Sequence, residues 1–244
     1  MHRTHGRVAA RPVGGPSEVT LRAFRAGLED METIEIETGP RPQGAVIWLH
    51  GLGADGHDFE PIVPELRLPK PVRFIFPHAP VRPVTINNGM RMRAWYDIFQ
   101  FGAGPEDEKG IRESEGLLRK LIEAEKAKGL GSEKIVLAGF SQGGAIVLQA
   151  GLRYPERLAG IMALSTYLPI STTLEKDRAE KNRDLPIFMA HGSYDDIIPL
   201  RRAEQSKDLL VKSGYPVEWR TYPMPHSVCP EEIGHISEFL LRIL

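Results

Sequence analysis

A serine sits among small residues at Gly139-Phe140-Ser141-Gln142-Gly143-Gly144, in the G-x-S-x-G spacing of a nucleophile elbow. In a chain with 24 glycines those five letters carry little weight alone, so their surroundings matter more. Lys134-Ile135-Val136-Leu137-Ala138 before them reads as a buried strand. Ala145-Ile146-Val147-Leu148-Gln149-Ala150 after them reads as a helix packed on a sheet. A strand that turns abruptly into a helix exposes the hydroxyl at the tip. It also sets the helix N-terminus behind the serine, where developing negative charge is favoured. A side chain at 139 or 143 would crowd the turn, and Gly144 lets the helix pack close. This arrangement suits acyl transfer through the serine.

A hydroxyl is a poor nucleophile near neutral pH and needs a base beside it. His226 is the candidate, in a loop between a strand and the last helix. The base needs a carboxylate that holds its tautomer and stabilises the imidazolium. Asp195 is the candidate, in the loop after the preceding strand. Asp196 adjoins it, and in extended backbone only one of two neighbours can face the imidazole. The tetrahedral intermediate then needs two backbone N–H donors. One is expected from Gln142, the residue after the nucleophile. The other is expected from Leu52 in His50-Gly51-Leu52-Gly53, whose glycines let the backbone turn inward.

Alternating elements must bring these groups together. Thr33–Glu37 alternates and reads as an edge strand. Ala45–Leu49, Arg73–Phe76, Leu158–Ser165, Pro186–Ala190 and Val217–Tyr222 read as further strands. Helices are expected from about residue 106 to 128, 200 to 213 and 230 to 244. Residues 169–184 read as polar and irregular. Residues 81–105 read as a long loop with Met90, Met92, Trp95, Tyr96, Phe99 and Phe101, enough apolar surface for a pocket wall. Strands alternating with helices predict an α/β fold, a mostly parallel central sheet with helices on both faces. Ligands bind at the carboxyl ends of such strands, and His50, Ser141, Asp195 and His226 all follow strand ends. The order Ser…Asp…His is that of α/β-hydrolases.

The chain has 244 residues, long enough for one large domain with a full core. A net charge of −1 gives no basic field to draw nucleic acid or an anionic membrane. No apolar run approaches the roughly 18 residues of a membrane helix. Cys229 is the single cysteine, which rules out an internal disulfide and suits a reducing cytoplasm. Residues 1–30 stand apart as an extension with Arg3, Arg7, Arg11, Arg22 and Arg25 and no apolar core of a secretory signal. A weak amphipathic helix is expected over Glu18–Leu28, and Met31 is an alternative initiator. Residues 31–244 form the expected catalytic domain.

His50-Gly51-Leu52-Gly53-Ala54-Asp55-Gly56, Pro77-His78-Ala79-Pro80, Arg93-Ala94-Trp95-Tyr96-Asp97, the elbow, His191-Gly192-x-x-Asp195 and His226 together resemble the phospholipase/carboxylesterase family. The likeness spans about residue 31 to residue 244. It implies a compact α/β-hydrolase without a large cap domain that hydrolyses carboxylic esters and, in some members, thioesters or lysophospholipids. It implies Ser141, Asp195 and His226 as the triad, with Leu52 and Gln142 as oxyanion donors. By the same resemblance Trp95 and the loop around Val84, Ile86 and Asn88 line the acyl pocket. No cofactor is expected.

The other histidines have plainer readings. His50, His78 and His191 are expected as hydrogen-bonded supports near the rim, and no pair shows a zinc spacing. Cys229 is expected as a packed free thiol, since the elbow already holds a serine. The expected activity is a serine carboxylesterase acting on short to medium acyl esters. An acyl-protein thioesterase or lysophospholipase is the alternative, and a binding protein without turnover the alternative of another class. The expected partner is a small acyl ester; a homodimer is left open.

Overall fold

The computed structural model describes the backbone of residues 19–23 and the whole of residues 31–100 and 104–244. In chain order the strands are β1 (Val19–Ala23), β2 (Glu32–Glu37), β3 (Gly44–Leu49), β4 (Val72–Pro77), β5 (Val81–Val84), β6 (Met90–Arg93), β7 (Ile135–Phe140), β8 (Gly160–Leu164), β9 (Ile187–Gly192) and β10 (Val217–Tyr222). The α-helices are α1 (Glu108–Ala127), α2 (Gln142–Gly151), α3 (Leu174–Asp177), α4 (Leu200–Lys212) and α5 (Pro230–Ile243). The main sheet runs β1-β2-β4-β3-β7-β8-β9-β10. From β4 to β10 neighbouring strands are parallel; β1 and β2 add antiparallel pairs. This is the α/β-hydrolase architecture, and the described residues form no large cap.

Side-chain alternation explains why the sheet is covered on both faces. Successive strand residues point to opposite sides. Ala45, Ile47 and Leu49 of β3 and Ile135 and Leu137 of β7 join the cluster under α1 and α2. Val46 and Trp48 of β3 and Val136 and Ala138 of β7 join the other cluster, against Ile236, Phe239 and Leu240 of α5. β3 and β7, at the centre of the sheet, are therefore apolar at every position, as in a doubly covered parallel sheet.

Two expectations fail at the antiparallel edge. Val19–Ala23 lies within the stretch expected as an amphipathic helix, yet it is a strand, paired from Val19 opposite Ile36 to Ala23 opposite Glu32. The rest of that helix lies outside the described residues, as do Phe101, the N-terminal arginines other than Arg22, and His2 and His5. β2 is consequently an inner strand rather than an edge, because its free N–H and C=O groups pair with β1 on one side and β4 on the other. Its Glu35 is buried and meets Lys128 Nζ at 3.2 Å, which compensates the buried charge.

The loop expected over residues 81–105 contains a hairpin. β5 and β6 pair from Val81 opposite Arg93 to Val84 opposite Met90, joined through a 3-10 turn, Thr85–Asn87. Positive φ at Asn88 and Gly89 closes it. Neither face of Met90-Arg91-Met92-Arg93 is buried, so the stretch has no hydrophobic period to mark it. Among the described residues no helix is long and apolar enough to cross a membrane.

Candidate active site

Ser141 stands between β7 and α2 with φ 54° and ψ −118°. Positive φ is costly for a residue with a Cβ, of order 1–3 kcal/mol, and persists only where the surroundings enforce it. Here they do. The Ser141 N–H donates to Leu164 O at 2.9 Å, and Thr166 Oγ1 donates to Ser141 O at 2.7 Å. The two flanking glycines admit the turn. A Cβ at 139 would lie 2.4 Å from the Gly143 carbonyl carbon, and one at 143 would lie 2.3 Å from Leu49 O. The elbow is thus wedged against the end of β3.

Loops at neighbouring strand ends bring two further side chains to the serine. His226, beyond β10, has Nε2 2.8 Å from Ser141 Oγ and Nδ1 2.7 Å from Asp195 Oδ2. Asp195, beyond β9, is 7% exposed, and its Oδ1 accepts the N–H groups of Ile197 at 3.0 Å and Ile198 at 2.8 Å. With Oδ1 occupied by donors, Oδ2 accepts from His226 Nδ1–H. That tautomer leaves the Nε2 lone pair facing the serine hydroxyl. Asp196 is exposed. His191 is fully buried, donates from Nε2 to Ile198 O at 2.8 Å, and lies 3.2 Å from Asp195 Oδ2. Burial pulls the His191 pKa down, so it supports the Asp195 loop as a neutral ring.

The loop after β3 is held by two more histidines. His50 donates from Nδ1 to Gly51 O at 2.7 Å and accepts the Ala79 N–H on Nε2 at 3.0 Å. It can accept because burial lowers its pKa to about 4. His78 Nδ1 accepts the Gly56 N–H at 3.1 Å. The Gly53 N–H donates to Arg93 O at 2.9 Å, which ties the loop to β6. Among the described residues the N–H groups of Leu52 and Gln142 find no internal acceptor. No group of three or more His, Cys, Asp or Glu among the described residues could hold a metal ion.

The expected acyl-pocket residues lie elsewhere. Trp95 is 1% exposed and belongs to the core under α1 and α2. A buried indole N–H needs an acceptor, and Trp95 Nε1 donates to His50 O at 2.9 Å. Val84 is buried in the hairpin, and the Ile86 N–H donates to Ile98 O. None of the three lines the cavity at Ser141. That cavity, of about 240 Å³, is bounded instead by Leu52, Tyr96, Ile98, Phe140, Ile197 and Ile198, together with Tyr167 and Arg202. Tyr96 belongs to the apolar set over residues 81–105 read as a pocket wall, and it does line the cavity. Nothing in the local pattern marks Tyr167 or Arg202, which lie far apart in the chain.

A family model described as phospholipase/carboxylesterase matches residues 31–244. Acyl-protein thioesterase 1 of Gibberella zeae is 42% identical over 211 residues, which cover 82% of this chain and 90% of that one. Acyl-protein thioesterase 1 of Neurospora crassa is also 42% identical, over 84% of this chain and 88% of its own. Among solved structures, Arabidopsis thaliana SOBER1 superposes with a TM-score of 0.77 at 30% identity, over 82% of this chain and 98% of its own. Zea mays acyl-protein thioesterase 2 superposes with a TM-score of 0.74 at 25% identity, over 85% and 97%. With the fold, the match across the whole described sheet from β2 onward and these relatives in hand, the chain belongs to the phospholipase/carboxylesterase family, whose members are hydrolases of ester and thioester bonds.

Proposed function

We propose that the chain hydrolyses carboxylic esters of short to medium acyl groups through an acyl-enzyme on Ser141. The unbroken hydrogen-bond chain Asp195–His226–Ser141 at the mouth of a small apolar cavity carries this reading. Ser141 Oγ attacks the acyl carbon while His226 Nε2 takes its proton. Asp195 Oδ2, buried and already oriented by two backbone N–H groups on its other oxygen, stabilises the imidazolium. The Leu52 and Gln142 N–H groups receive the developing oxyanion. His226 then returns the proton to the leaving alcohol, and the same base activates water against the acyl-enzyme.

A second reading has its own support. Relatives 42% identical over more than four fifths of this chain are named acyl-protein thioesterases. A thioester needs the same nucleophile, base and oxyanion donors, with a thiol leaving in place of an alcohol.

One experiment tests both readings. A fluorophosphonate should label the wild type at Ser141 and leave Ser141→Ala untouched. kcat/KM would be measured beside it on p-nitrophenyl esters of increasing chain length and on a matched S-acyl peptide. Near-wild-type turnover by Ser141→Ala would overturn the mechanism. A clear preference for the S-acyl peptide over an ester of equal chain length would decide for the thioesterase.

A further inference from the structure

Tyr167 and Arg202 line the cavity at Ser141. The same two side chains face a second and larger groove of about 480 Å³, bounded further by Leu168, Pro199, Gln205 and Leu209. One layer of side chains therefore separates the space beside the serine from the space beyond it.

That layer is tied at every joint. The Arg202 guanidinium lies 3.4 Å over the centre of the Tyr167 ring. Arg202 Nη2 pairs with Glu106 Oε1 at 3.2 Å, and Glu106 Oε2 accepts the Ile170 N–H at 2.8 Å. The Tyr167 hydroxyl meets the Tyr96 hydroxyl at 3.0 Å. The members come from different parts of the chain: Tyr96 and Glu106 ahead of α1, Tyr167 beyond β8 and Arg202 on α4. A flat guanidinium stacked on a ring and matched by a carboxylate brings shape rather than spare charge to the pocket. The Arg202 and Glu106 side chains are each 26% exposed, so truncating Arg202 opens a passage instead of hollowing the core.

We propose that Tyr167, Arg202 and Glu106 form the specificity-determining end wall of the acyl pocket. They restrict the enzyme to acyl chains that end within the cavity, because a longer chain needs the groove that the wall closes off. The cavity is smaller than the roughly 300–1,000 Å³ of ordinary ligand sites, and Tyr96, Ile98, Ile197 and Ile198 give it the apolar lining an alkyl chain needs. The inference rests on the acyl-hydrolase reading, which makes this cavity the acyl side of the site.

The test is the ratio of kcat/KM on p-nitrophenyl esters from octanoate to dodecanoate to that on the acetate, in the full chain. Each methylene that gains or loses a place is worth about tenfold or more, so Arg202→Ala should raise the ratio by at least about tenfold for chains the wild type rejects. Glu106→Gln removes the charge that holds the guanidinium and should move the ratio the same way by less. It carries the test if Arg202→Ala does not fold. A parallel series of acetate esters of lengthening alcohols should give unchanged ratios. Identical acyl profiles in wild type and folded variants, or a shift confined to the alcohol series, would overturn the end wall. A wild type inactive on every ester and thioester would instead overturn the functional reading beneath it.

Discussion

Gln142 spends its side chain on Trp95 and the residue after it. Its Oε1 accepts the Trp95 backbone N–H at 2.7 Å, and its Nε2 donates to Tyr96 O at 2.8 Å. Trp95 Nε1 reaches His50 O in turn, and Ser114 Oγ donates to Trp95 O. The first residue of the elbow helix, the loop after β3 and the segment after β6 are thereby locked together. The backbone N–H groups proposed as oxyanion donors belong to two of those three pieces.

Removing that lock should cost stability first. Gln142→Ala leaves a buried N–H and a buried C=O unpaired, each worth about 1–3 kcal/mol. We expect a loss of about 2–4 kcal/mol in urea unfolding, with a fall in kcat as the donors loosen. A change below about 0.5 kcal/mol would show that water or a shifted backbone takes over both bonds.

Trp95→Ala should act as a core truncation. Deleting a large aromatic from a packed interior costs about 3–5 kcal/mol. On whatever fraction remains folded, the acyl chain-length profile should keep the wild-type shape, because the indole does not line the cavity. A changed profile at a temperature where the variant is folded would return Trp95 to the acyl pocket.

Asp195 and Asp196 should separate cleanly. In Asp195→Asn the amide oxygen is drawn to the Ile197 and Ile198 N–H groups that Oδ1 now receives. The amide NH₂ then faces His226 Nδ1 and favours the tautomer that points a proton at the serine. By analogy with the serine-protease Asp→Asn example we expect kcat to fall by a factor on the order of 10²–10⁴. Asp196→Asn, at an exposed position, should cost no more than about tenfold. Both would be assayed on one activated ester at one pH, with circular dichroism as the folding control. Greater damage from Asp196→Asn would move the carboxylate role one residue along.

Glu232 should make the fold lose stability as pH rises from 4.5 to about 8. It lies in the first turn of α5 at 0% exposure, and burial raises its pKa from 4.5 to about 8, opposed by the Cys229 backbone N–H. A raised folded-state pKa gives stability that is fully present below 4.5. That stability is lost as pH climbs, until the folded group itself ionises near 8. Glu232→Gln cannot ionise, so its Tm should gain on the wild type steadily between those limits. A Tm difference that stays constant from pH 5 to pH 9 would refute the assignment.

Deleting residues 1–30 should spare the chemistry and harm the edge. The deletion removes β1 and leaves β2 with an unpaired row of N–H and C=O groups. Ester turnover should stay within a few-fold while aggregation on heating increases. A large fall in kcat/KM in a monodisperse, folded deletion would place part of the extension in the site.

The elbow, the triad order and the apolar inner strands were legible in the sequence because each rests on short-range rules. A turn that needs Gly139 and Gly143 around Ser141 is written in six adjacent residues. A central strand covered on both faces, such as β3 or β7, reads as an unbroken apolar run, and the loops that follow such strands must gather at one rim. Tertiary structure decided what long-range contact decides. Val19–Ala23 is a strand only because β2 offers it an edge. Trp95 could serve a pocket or a core, and the carbonyl that takes its indole N–H, that of His50, lies 45 residues away in the chain. The end wall joins Glu106 to Arg202 across 96 residues, with no spacing that periodicity could register. Side-chain type states what a residue can bond; only the packed sheet states which partner arrives.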